Sequence, residues 1–258
     1  MNRKLKNKLK YEGSIIPHDK YGDIVVVEYQ TTEKVTARFV NTGFIVTTSL
    51  SNLLMGFVKD RLYPTVYGVG VLGNEKCREN GCQTKEYNLW QSMLQRCYCP
   101  LYLKERPTYK DCRVSDDFKY LETFKKWCHS QFNYNEVDND GVSFVLDKDI
   151  LVKGNKLYSK DTCCFVPREV NLLFVKSDKL RGSLPVGVTK NGYGGYKALL
   201  NCHSKRKSLG YFKTPEEAFL VYKQAKEGYI KEVAEKWKSI LTKETYDAMM
   251  NYTVGLED

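Results

Sequence analysis

Through residues 13–75 apolar and polar side chains follow the short period of half-buried strands. Ile24-Val25-Val26-Val27-Glu28-Tyr29 forms one strand, and Val35-Thr36-Ala37-Arg38-Phe39-Val40 alternates as a second. Asn41-Thr42-Gly43 turns the chain into Phe44-Ile45-Val46-Thr47-Thr48. Five or so short strands with tight turns predict a small SH3-like β-barrel. Gly68-Val69-Gly70-Val71-Leu72-Gly73 lacks the lysine and following helix of a phosphate loop and reads as a linker. The period then lengthens. Tyr87, Trp90, Met93, Leu94, Cys97 and Tyr98 recur at three and four, one face of a helix that Pro100 stops. A second helix carries Phe118, Leu121, Phe124, Lys125, Trp127 and Cys128, with Ser115 or Asp116 as its cap.

From Leu146 to Leu173 two apolar-flanked segments sit either side of Lys153-Gly154-Asn155, and the second runs through Cys163-Cys164-Phe165-Val166 into a short polar helix bearing Asn171. This predicts a β-hairpin followed by a helix. Over 184–237 three more strands are expected: one from Val186-Gly187-Val188, one at Tyr196–Asn201 and one at Leu209-Gly210-Tyr211-Phe212. Thr214-Pro215-Glu216-Glu217 then opens a helix, with Thr214 as N-cap, Pro215 at the first position and Glu217 completing a capping box. Ala218, Phe219, Tyr222, Ala225, Tyr229, Val233, Ala234 and Trp237 continue it at helical spacing, facing the back of the sheet. The fold class is α+β: a basic arm at 1–12, the β module at 13–75, a mixed helical and ββα domain at 86–175, a sheet-and-helix domain at 184–240 and a tail at 241–258.

Charge adds a partner. The chain has 258 residues, with 41 Lys+Arg against 31 Asp+Glu, a formal charge of +10 that favours a polyanion. Arg3, Lys4, Lys6, Lys8 and Lys10 precede the first acid, Glu12; this segment reads either as a flexible arm along phosphates or as a solvated tail. Lys176 to Lys213 holds nine basic residues and a single acid, Asp178. That density marks Lys190, Lys197, Lys205, Arg206 and Lys207 as candidates for phosphate contact. The 19 tyrosines suit base stacking as well as cores. No apolar run approaches the roughly 20 residues of a membrane span. The nine cysteines include no Cys-x-x-Cys pair, so structural zinc is not expected. With no signal-peptide pattern at the start, the expectation is a cytoplasmic protein with free thiols.

Leu146-Asp147-Lys148-Asp149-Ile150, Gly154-Asn155 and Glu169-Val170-Asn171 resemble the His-Asn-His (HNH) motif of phage homing endonucleases, with Trp90-x-x-Met93-x-x-Arg96-Cys97-Tyr98 and Tyr109-x-x-Cys112 resembling the layer that precedes it. The first histidine of that motif is replaced: His18, His129 and His203 all lie elsewhere, and Lys148 stands at or beside its position. The resemblance implies a ββα-metal site in which Asp147, Asp149 and Asn171 hold Mg²⁺ or Mn²⁺ and Lys148 contacts phosphate. Alternation along a strand would put Asp147 and Asp149 on one side and Lys148 on the other. Capping and turn roles are the alternative for the aspartates. Gly187-Val188, Tyr196-x-Ala198, Leu209-Gly210-Tyr211-Phe212 and Thr214-x-Glu216-Glu217-Ala218 resemble the plant ethylene-response-factor (Apetala-type) DNA-binding domain. That family lays its sheet in the major groove of double-stranded DNA, which implies Tyr193, Tyr196 and Arg206 at the reading face. Thr189, Asn191 and Asn201 stand where the plant pattern has arginines, so base specificity does not transfer. Three functions follow as expectations: a metal-dependent endonuclease, a non-catalytic DNA binder or regulator, and a phage protein that binds and inhibits a host protein.

Overall fold

The computed structural model describes residues 3–175, 184–192, 194–202 and 205–256. It is a mixed α+β chain, as expected, and divides into two compact units, Met1–Lys126 and Trp127–Asp258. The boundary falls inside the stretch 86–175 that reads as a single domain in the sequence.

In the first unit the basic segment is a helix, α1 (Arg3–Tyr11), rather than a flexible arm. Its lysines, leucines and arginine are good helix formers. Two anchors hold it: Asn7 Nδ2 donates to the Tyr29 hydroxyl at 3.2 Å, and the Tyr11 and Tyr29 rings stack at 6.5 Å. Strands β1 (Ile15–His18), β2 (Gly22–Thr31), β3 (Lys34–Phe39) and β4 (Ile45–Thr48) follow as an antiparallel meander in that order. Alternation puts Ile24, Val26, Val35, Ala37 and Phe39 on the buried face, where they pack with Leu50 and Leu53 of α2 (Leu50–Leu54). The expected barrel is an open sheet: among the described residues no pairing joins β4 to β1. The chain turns helical after β4 because Ser49 caps α2, its hydroxyl accepting from Asn52 N at 3.2 Å.

A hairpin of β5 (Arg78–Glu79) and β6 (Cys82–Gln83) turns on Asn80 and Gly81, both at positive φ, as a tight two-residue turn requires. Then α3 (Lys85–Tyr98) buries Trp90, Met93, Leu94 and Cys97, four of the stripe read from the sequence. Pro100 ends it and begins α4 (Pro100–Glu105). After β7 (Arg113–Val114) a 3-10 turn at Asp117–Lys119 precedes α5 (Leu121–Ser130), so the second helix starts later than the proposed caps, and Asp116 makes no side-chain cap. The glycine-rich linker is a packed segment. Val71 is buried and exchanges backbone hydrogen bonds with Lys119 and Leu121, while a Cβ at Gly70 would lie 2.5 Å from Leu94 Cδ1 and 2.7 Å from the Trp90 ring.

In the second unit β8 (Val145–Asp147) and β9 (Leu157–Tyr158) precede β10 (Cys164–Val166), which leads into α6 (Arg168–Leu172). The partner of β8 is β10, with Phe165 opposite Leu146, and not the segment directly after Gly154-Asn155. β11 (Val188–Lys190), β12 (Tyr196–Cys202) and β13 (Lys205–Phe212) form an antiparallel sheet with β12 central. α7 (Pro215–Trp237) packs on that sheet, and α8 (Lys243–Met250) packs on α7. Residues 241–254 are therefore packed and not a tail. Thr242 caps α8; Leu241, Thr245, Met249 and Val254 are buried; and Lys223 Nζ donates to Val254 O at 2.9 Å.

Candidate nucleic-acid interface

The sheet and α7 are held together by their sequence alternation. Val188, Ala198 and Leu200 point to the helix and are buried with Ala218, Phe219 and Tyr222. Thr214 Oγ1 accepts from Glu217 N at 3.2 Å and the Glu217 carboxylate accepts from Thr214 N at 3.3 Å, closing the predicted capping box. Gly187 is at φ +75°, and a Cβ there would sit 2.1 Å from the Tyr222 ring, so glycine permits both the turn into β11 and the close helix approach.

The opposite face is open. Lys197 pairs with Tyr211 across β12 and β13, and its Nζ lies 5.2 Å from that ring, while Arg206 pairs with Asn201. Lys197, Arg206 and Tyr211 share this outer side. Tyr211 is 64% exposed, and sequence reading had not singled it out, although its place two residues before the capping region on an alternating strand marks it as outward. Register divides the other candidates. A bulge between Ala198 and Leu199 sets Lys207 opposite Leu200 and Lys205 opposite Cys202, so these exposed lysines lean to the helix side of the hairpin. Lys190 pairs with Tyr196, and both have the parity of Ala198; Tyr196 is half-buried at the margin rather than on the outer face. Tyr193, and the basic Lys176, Lys179 and Arg181, lie outside the described residues.

The carboxylate pair is arranged differently from its expectation. Asp147 is 8% exposed, and its Oδ1 accepts from the amides of Asp149 at 2.7 Å and Ile150 at 2.9 Å. This turn ends β8, so Lys148 and Asp149 leave the strand and alternation no longer governs them. Lys148, 5% exposed, does not face away: its Nζ donates to Asp149 Oδ1 at 2.6 Å and to Asn155 O at 2.9 Å, 5.7 Å from the Tyr158 ring. Asn155 closes the loop, donating to Lys148 O at 2.8 Å and accepting from Leu157 N at 3.0 Å. Burial pushes the Asp147 carboxyl above its usual value, against the two amides that favour its charged form. Asn171 lies on α6, half-buried.

These donors suit a divalent ion poorly. One oxygen of Asp147 is occupied by turn amides, and the Lys148 ammonium already sits on Asp149, where it would repel a second cation. Among the described residues no group of three or more His, Cys, Asp or Glu gathers as metal ligands. Burial pushes the Cys163 thiol up to about 12 and raises Cys164 as well, which suits packing rather than nucleophilic chemistry. No described helix is long and apolar enough to cross a membrane. Searches against protein-family models, curated proteins and solved structures find no match to this chain.

Proposed function

We propose that the chain is a double-stranded DNA-binding protein whose C-terminal sheet faces the duplex. The single observation that carries this is the outer side of β11–β13, which presents Lys197, Arg206 and Tyr211 to solvent while α7 covers the back. Cations on a rigid sheet meet phosphates, and an exposed tyrosine offers apolar contact with sugar or base. Lys190, Lys205 and Lys207, exposed at the rim, extend the positive field. In this reading the protein acts in a cytoplasm, that of a host if it is phage-encoded, and the HNH-like middle is a non-catalytic descendant.

The strand–strand–helix order of β8, β10 and α6, with the Asp149 side chain 44% exposed, favours a second reading as a metal-dependent endonuclease using Mg²⁺ or Mn²⁺. One assay separates the two. Fluorescence anisotropy with a labelled duplex across a salt series measures binding, and plasmid nicking with either metal measures cleavage. The expected outcome is saturable binding without nicking. Replacing Lys197 and Arg206 together by alanine lowers the slope of log affinity against log salt by about 2, since each phosphate contact contributes about 0.9. Unchanged affinity and slope in that variant would overturn the sheet as the contact surface. Nicking that Asp149→Ala abolishes would establish the second reading instead.

A further inference from the structure

The unit Trp127–Asp258 has a half-open pocket of about 1100 Å³ bordered by α6, the ends of β11 and β12, and the middle of α7. Such a volume is at the upper end for a small organic ligand and far exceeds one inorganic ion. Lys226 lines it from α7, on the same helical face as the buried rings of Tyr222 and Tyr229. No hydrogen bond or ion pair joins Lys226 to another described residue, and burial alone holds its ammonium down at about 8. An ammonium taken from water without a counter-charge is unfavourable, and its usual remedy is a carboxylate partner. Among the described residues none supplies one.

Arg168 and Lys190 line the same cavity, and Arg206, whose strand position faces the outer side, also reaches it, all three without an ion pair to a described residue. The acids on the wall offset them poorly. Glu169 accepts from Lys236 and from Trp237 Nε1, the Asp138 carboxylate accepts from the amides of Asp140 and Val142 in its own loop, and the third acid, Asp140, is exposed to water. Among the described lining residues the cavity thus combines an excess of positive charge with aromatic walls.

We propose that this cavity binds a nucleotide unit, its phosphate at Lys226 and its base along the tyrosine-lined wall. Lys226 lies on the helix and not on the outer face of the sheet, so this site goes beyond the duplex contact and does not depend on it. The nucleotide has two sources, a free mononucleotide or an unpaired nucleotide of a strand, and the test has an arm for each. The full chain at fixed ionic strength is titrated with a fluorescent analogue of adenosine monophosphate. It is titrated separately with a DNA hairpin carrying one extra unpaired base and with the same hairpin fully paired. Lys226→Met should weaken the mononucleotide, or raise the dissociation constant of the unpaired hairpin towards that of the paired one, by at least about tenfold, while Lys226→Arg keeps binding. Inorganic phosphate should compete, only at higher concentration, because it lacks the base. Thermal melts provide the control for folding: losing an uncompensated cation leaves Lys226→Met at least as stable as the parent. Absence of Lys226-dependent binding in both arms overturns the proposal, as does equal loss in Lys226→Arg and Lys226→Met. Paired-duplex binding is read through Lys197, which does not line the cavity, so failure of one reading is visible without failure of the other.

Discussion

At the scale of single residues, the clearest case is Asp147, where a ligand and a turn residue make opposite demands. A metal ligand needs its negative charge; a turn acceptor needs only an oxygen. Asp147 Oδ1 receives two backbone amides in a nearly buried position, and burial raises its carboxyl. The unfolded chain therefore loses that proton at a lower pH than the folded protein does. Across the interval between those two values the folded state binds more protons, so this group's contribution to stability falls as pH rises through the raised folded value. Asp147→Asn keeps an oxygen acceptor without the charge. Its stability in urea is expected to equal or exceed that of the parent at neutral pH, with the acid-side dependence flattened. Asp147→Ala strands two amides and is expected to cost about 1–3 kcal/mol. An asparagine variant as unstable as the alanine one would show that the charge itself, and not only the oxygen, holds the turn.

At the scale of elements, whatever depends on near neighbours was legible in the sequence. The Thr214–Glu217 capping box spans four residues and forms as read, and the α3 stripe buries Trp90, Met93, Leu94 and Cys97. What failed depended on partners distant in sequence. α1 is held by Tyr29, and Gly70 is fixed by Trp90 and Leu94. Likewise, the bulge at Ala198/Leu199 decides which lysines of β13 face outward, and nothing local announces it. The candidate site divides the same way: a three-stranded sheet backed by a helix could be read in advance, but the Asp147 turn and the Lys148–Asp149 pair needed the loop that Asn155 closes. Two glycines test how much of the sheet–helix joint is local. Gly154 and Gly187 have nearly the same φ, +74° and +75°, but a Cβ at Gly154 meets nothing within 4 Å, whereas at Gly187 it strikes the Tyr222 ring. Gly154→Ala should cost only the left-handed backbone, about 1–2 kcal/mol. Gly187→Ala should cost that plus the displacement of Tyr222 from the sheet, seen as a larger shift in the urea midpoint. Equal losses would mean that the joint yields and that Gly187 serves the turn alone.

At the scale of the whole molecule, the net charge of +10 does not say where a polyanion is gripped, because basic side chains lie both on α1 and on the C-terminal sheet. Range and screening separate the two. A cation in direct contact with phosphate releases a condensed counterion and appears in the salt slope. A cation beyond about 8 Å acts chiefly through the long-range field, which physiological salt suppresses. Lys6 and Lys10 on α1 are exposed, with Lys10 Nζ 4.9 Å from the Tyr11 ring, on a single helix held to β2 at Tyr29 rather than spread over paired strands. Replacing both by glutamine is expected to slow association at low salt, while affinity converges on the parent value near 0.15 M and the slope changes by less than 1. The Lys197 and Arg206 variant should do the reverse, keeping its deficit at physiological salt through faster dissociation. Stopped-flow association and dissociation rates at two ionic strengths measure both. If the α1 variant kept a full deficit at 0.15 M and the sheet variant did not, the phosphate contacts would belong to the N-terminal helix, and the sheet would be left free for another partner.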